Sequence, residues 1–282
     1  MSTPTVTFVS LAAELQQRFA LAAGEVHVLE RLQVAQFVSS GVFEPWPAPD
    51  LLRHLHASLE ALDVEKPGAG FVNHFAQATR CRDLLQAMAT QAGPYAEQAA
   101  TPLRRLALDI GMHTGVIGNV ARDVDPMLQT LGQLLSDRDK MLRHAQAQAH
   151  VRSLFTQAAD YVKRTQLLKE LAESGRNSRA SLTALIDAQK ALLATVQGGI
   201  AEAWAAWQPP VAQFAAMMSE HPSNARYHPS VPGLQKRLLE LLVKAIEDAD
   251  AAEVLRNRAK EQLVAVQRQV SVAKGWVSGP PT

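Results

Sequence analysis

Nine histidines and a single cysteine are the side chains here best suited to metal or nucleophilic chemistry, and their spacing decides how far that goes. A helix that holds zinc presents ligands four residues apart, as in His-Glu-x-x-His, and this chain has no such motif. His54 and His56 lie on opposite sides of a helix, about 200° apart. His144 and His150 converge poorly. Glu220, His221 and His228 surround a proline-containing loop and make the one metal cluster the spacing allows; the plain reading is three surface residues. Cys81 stands in Arg80-Cys81-Arg82, where cations would activate a thiol only if they faced it. Successive helical side chains point apart, so a packed, inert thiol is expected.

Other chemistries fare no better. There is no Gly-x-Ser-x-Gly elbow for a nucleophilic serine. Gly68-Ala69-Gly70 follows no strand pattern and has no P-loop lysine, so it reads as a turn rather than a phosphate cradle. Glu247, Asp248, Asp250 and Glu253 spread around a helix as a solvated face, and Glu240 with Lys244 is an ordinary i,i+4 pair. No catalytic residue, metal ligand or cofactor is assigned, and the protein is expected not to be an enzyme.

Two stretches stand above this background. Leu106 to Ala121 carries one formal charge, Asp109, and three glycines, Gly111, Gly115 and Gly118. Glycines at that spacing let helix backbones approach closely. The alternative is an apolar segment that leaves the bundle for a bilayer. The second stretch, Val196 to Met218, brackets Trp204 and Trp207 between Gly198-Gly199 and Pro209-Pro210, with Phe214, Met217 and Met218 beyond. Paired glycines loosen a helix and prolines bend it. These five large side chains are therefore the expected contact for a partner or a membrane, against the plainer reading of a bundle end capped by its own residues.

The elements that position these stretches are all helical. Apolar residues recur at three- and four-residue steps from Pro126 to Leu171, at Leu128, Leu131, Leu135, Leu142, Ala145 and Ala149, then Val151, Leu154, Ala158, Tyr161 and Leu168. That predicts one helix roughly 70 Å long. Gly175 reads as its stop and Asn177 or Ser178 as the cap of an antiparallel return helix. Leu182, Ile186, Gln189, Leu193, Val196, Ile200, Ala203 and Trp207 form its heptad seam. The last helix, from Leu234 to Lys274, has a seam at Leu238, Leu242, Ala245, Ala249, Ala252, Ala259, Leu263, Val266, Val270 and Ala273, interrupted by Arg256. Upstream, shorter helices are expected at 10–23, 25–38, 51–62, 71–91 and 103–124, separated by Gly24, Ser39-Ser40-Gly41, the proline-dense Glu44 to Pro49, Pro67 to Gly70, and Gly93-Pro94. Thr101-Pro102 reads as the start of the helix at 103–124. Residues 1–7 and 276–282 read as loose tails.

The fold class is therefore all-α: an elongated antiparallel bundle of long, coiled-coil-like helices at 101–275, with a short-helix region at 1–100 packed on it and a disordered tail at 276–282. The net charge of +1, from 28 basic and 27 acidic residues, leaves no footprint for nucleic acid. One cysteine permits no internal disulfide. With no signal pattern and no apolar run of about 20 residues, a cytoplasmic location is expected. The expected function is non-enzymatic, through a protein partner or self-association. The alternatives are a membrane-active, pore-forming-like helical protein, and an enzyme or metal protein with a site between helices. Solution scattering checks the architecture: a monomer should have a radius of gyration clearly above the roughly 19 Å of a compact chain of this length, and a value at or below it would mean folded-back helices.

Overall fold

Steps of four and three run through the last helix without a gap. Leu238, Leu242, Ala245, Ala249, Ala252, Arg256, Ala259, Leu263, Val266, Val270 and Ala273 are all buried. Arg256 therefore continues the seam rather than interrupting it. Its aliphatic stem packs with the seam, and burial pushes its pKa down while Glu253 pulls it back up. In the computed structural model, which describes residues 4–39, 43, 49–68, 70–136, 145–221 and 225–277, every regular element is helical. They are α1 (Pro4–Arg31), α2 (Val34–Ser39), α3 (Pro49–Glu60), α4 (Phe71–Ser136), α5 (Ala145–Ala194), a π-helical segment (Thr195–Ile200), α6 (Ala201–Glu220) and α7 (Val231–Val277).

Several expected breaks are helix interior. Gly24 lies inside α1, and Gly93-Pro94, Pro102 and Pro126 lie inside α4. Pro209-Pro210 sits inside α6. A proline removes one i→i−4 hydrogen bond, which costs most where the freed carbonyl is buried. Pro94, Pro126 and Pro209 are exposed, so water reaches that side of the helix while the opposite face stays packed. The helix expected from Pro126 to Leu171 is two helices: α4 ends at Ser136 and α5 begins at Ala145. Gly175 is no stop; α5 runs through it to Ala194. The expected tail contributes Trp276 and Val277 to α7. At the other end, α1 already begins at Pro4. The expectations that fall on residues 1–3, 40–42, 44–48, 69, 137–144, 222–224 and 278–282 lie outside the described residues.

The chain forms two compact units that interleave in sequence. The first comprises Met1–Ser40, Arg104–Leu182 and Arg258–Thr282, the second Gly41–Leu103 and Thr183–Asn257. The boundary expected at residue 100 falls inside α4, and α4, α5 and α7 each supply residues to both units.

In the second unit, Leu52, Leu55 and Leu59 of α3 meet Leu85, Ile200, Trp207, Leu238 and Leu242 in one apolar cluster. Leu193 is only partly buried against it, and Leu192 takes the buried place. The Gln235 amide of α7 donates to the carbonyls of Leu59 and Leu62 at 2.7 and 2.8 Å, satisfying two groups at the C-terminus of α3.

In the first unit, α4 and α5 are antiparallel and close. Gly111 faces Arg179, Thr114 faces Gly175, and Gly118 faces Ala172. A methyl group added at Gly175 would overlap the Thr114 side chain. Thr114 is β-branched and its hydroxyl donates to the Ile110 carbonyl at 2.6 Å, so it cannot swing aside cheaply. A methyl group at Gly115 would meet nothing within 4 Å. Gly175→Ala should therefore lower stability by about 1–3 kcal/mol in urea unfolding, through overpacking. Gly115→Ala should raise it by up to about 1 kcal/mol, through helix propensity alone. Equal effects would mean that α4 and α5 do not meet at Thr114 and Gly175.

Candidate functional site

The second stretch singled out from sequence lies in the second unit, and its glycines accompany a change of helical geometry. Gly198 and Gly199 fall in the π-helical segment Thr195–Ile200, whose Val196 and Ile200 are buried. Wide turns of this kind tolerate a residue without Cβ. α6 follows directly and carries the aromatic pair inward. Trp204 and Trp207 are 1% and 0% exposed. Their ring centroids are 5.0 Å apart, and Phe75 of α4 lies 5.9 Å from Trp207. Phe214 meets Phe71 edge-on at 5.2 Å and Tyr227 at 6.2 Å. The Trp204 ring nitrogen donates to Gln208 at 2.9 Å, and the Arg82 guanidinium stands 6.0 Å over its ring. Met217 and Met218 pack, partly buried, on the same cluster.

The five expected contact residues are thus brought together, but as core. The expected surface tip is corrected in that respect: Phe71 and Phe75 of α4 cover the rings that a partner or membrane was expected to cover. Cys81 also packs, partly buried, against this cluster. The Glu220–His221–His228 cluster does not assemble. The His228 ring pairs with the Ser230 hydroxyl at 2.7 Å, and among the described residues no group of three or more His, Cys, Asp or Glu is placed to hold a metal. His144 lies outside the described residues.

The three glycines divide between two faces. Gly111 and Gly118 meet α5, as close helix packing requires; Gly115 does not. It shares the outer face of α4 with Leu108, 62% exposed, and Met112, 56% exposed. Leu108, Met112, Gly115 and Asn119 step by four, three and four, a second heptad seam turned to solvent. Arg105 and Arg122 bracket it. Among the described residues no helix is long and apolar enough to cross a membrane.

The first unit also holds a cavity of about 250 Å³ between α1, α5 and α7. Its walls include Phe19, Tyr161, Leu168 and Trp276, with Gln16 and Arg164 as polar members. Phe19 and Tyr161 stack with centroids 5.4 Å apart and planes 11° from parallel. The Arg164 Nε is buried without a hydrogen-bond partner. Burial pushes the Tyr161 phenol pKa up, against the opposing pull of Arg164 and of a hydrogen bond with Gln16. None of these residues stood out in sequence as a site, because each comes from a different helix or a different turn. Trp276 was the available signal: a large aromatic ring is seldom left in a tail.

No known family model, no curated protein and no solved structure matches this chain.

Tyr161 gives a spectroscopic check. Of three tyrosines, Tyr161 should ionise above the ordinary range in an ultraviolet pH titration, and Tyr161→Phe should remove that late step. The unfolded phenol ionises first, so the stability conferred by the neutral buried ring is complete below the ordinary tyrosine value and is lost as pH climbs through the raised one. An unchanged late step in the variant would place Tyr161 in solvent.

Proposed function

We propose that the protein acts without catalysis, by binding another protein chain, a second copy included, through the outer seam of α4. The observation that carries this reading is the exposed pair Leu108 and Met112, one helical turn apart, with Gly115 one turn further on and nothing above it. Leucine and methionine one turn apart are the anchors an amphipathic partner helix uses, and a glycine one turn beyond them lets the two backbones approach. Arg105 and Arg122 at the two ends favour acidic residues flanking the partner's apolar face. Single exposed apolar residues are ordinary on any protein surface; Leu108 and Met112 are neighbours one turn apart, each more than half exposed, and so form a joined apolar patch.

The test uses the double substitution Leu108→Glu with Met112→Glu. Both positions face solvent, so stability should change by less than about 1 kcal/mol, near the range of surface substitutions. Sedimentation and chemical cross-linking of the purified chain, and photo-cross-linking from position 119 on the same face in extracts of the native source, should each show association that the variant loses by about tenfold or more. Association that survives the double change, or binding to lipid vesicles that it abolishes instead, would overturn the reading.

A further inference from the structure

The cavity of the first unit has walls that fit a particular ligand chemistry. Phe19, Tyr161, Leu168 and Trp276 give it an apolar body, and Ala22 and Ala273, both small and buried, leave the space open. At roughly 30 Å³ per non-hydrogen atom, the density of liquid water, about 250 Å³ holds on the order of eight such atoms, and the open side leaves room for a longer tail. The polar side of the cavity is cationic. Arg164 lines it and carries the one formal charge among the lining side chains. A guanidinium beside an otherwise apolar space is best satisfied by an anion, through charge-assisted hydrogen bonds. The Tyr161 hydroxyl and Gln16 are engaged with each other and hold the wall beside it.

We propose that this cavity binds a small amphipathic anion, with its carboxylate on Arg164 and its apolar body against Phe19, Leu168 and Trp276. A neutral apolar molecule of the same size would leave the Arg164 guanidinium without a counter-charge, and a fully polar anion would leave the aromatic walls without contact. Discrimination thus comes from one charged group at one end of an otherwise apolar space, the usual plan of a small-molecule site. The proposal does not depend on the outer seam of α4.

Isothermal titration of the full chain with octanoate, and separately with 1-octanol, tests it. Octanoate should bind at one site per chain with a dissociation constant on the order of 0.1–1 mM, as ten atoms in a partly open pocket allow. The alcohol should bind at least about tenfold more weakly, the usual loss when a charged hydrogen bond is missing. Arg164→Leu should bring octanoate to the level of the alcohol, and Ala23→Trp, which fills the cavity from α1, should abolish binding of both. Arg268→Leu removes a cation from the exposed face of α7 and should leave octanoate affinity unchanged. The wild-type comparison of the two probes stands even where a variant fails to fold. No octanoate binding at 10 mM (about tenfold above the weakest expected constant), or equal affinity for the two probes, would overturn the assignment. So would undiminished binding by folded Arg164→Leu.

Discussion

The close approach of α4 and α5 at Thr114 and Gly175 sets the terms for the first unit. Gly175 is buried, and the Thr114 side chain occupies the space where any larger residue would place its Cβ. One turn to either side, Gly118 meets Ala172 and Gly111 meets Arg179. Three successive contacts of this kind fix the register of an antiparallel pair more sharply than leucine packing, because small residues leave no slack for a shift. With that register set, Lys169 reaches Asp125, and Ile110, Ile117 and Val124 of α4 join Leu168 and Leu171 of α5 among the buried residues. Within the second unit α4 and α5 also run antiparallel, with Gln197 donating to the Ala89 carbonyl and Lys190 pairing with Glu97.

The apolar periodicity was the most legible part of the sequence. Every seam position read on the last helix is buried, as are Leu52, Leu55, Leu59 and Leu62 near the start of the chain. Burial of a stripe depends on spacing alone, and spacing can be read directly. The punctuation was less legible. Pro94, Pro102, Pro126 and Gly175 carry strong local preferences against helix, yet all four lie in helix, because a long buried face outweighs a local cost of about 1–3 kcal/mol. Gly175 misleads in a specific way: its lack of a side chain serves a neighbouring helix and not its own termination. Arg256 reads as a fault in the seam by its charge, but its aliphatic stem lets it take a buried place there.

The same distinction governs the sites. Trp204, Trp207 and Phe214 attract attention as large apolar groups beside glycines and prolines, but Phe71, Phe75 and Tyr227 supply their neighbours from elsewhere in the chain. The segment from Leu106 to Ala121 reads as one small-residue face, yet Leu108 and Met112 stand outside it, because Gly111, Thr114 and Gly118 turn toward α5 and Gly115 does not. The cavity residues Phe19, Arg164 and Trp276 are separated by more than a hundred positions and meet only after three helices pack. A site made by convergence between helices has no linear signature.

The functional reading rests on this helical frame: the outward register of Leu108 and Met112 follows from the inward register of Gly111, Thr114 and Gly118. The frame in turn requires α5 to be continuous where the local signals predict a turn. Amide hydrogen exchange resolved at Gly175, Arg176, Asn177 and Ser178 tests that most directly. In an unbroken α5 these amides are bonded four residues back and should exchange as slowly as those of Leu171 and Leu185. Rapid exchange confined to these four amides, with slow exchange on both sides, would mean a turn at Gly175 and would contradict the packing of α4 against α5.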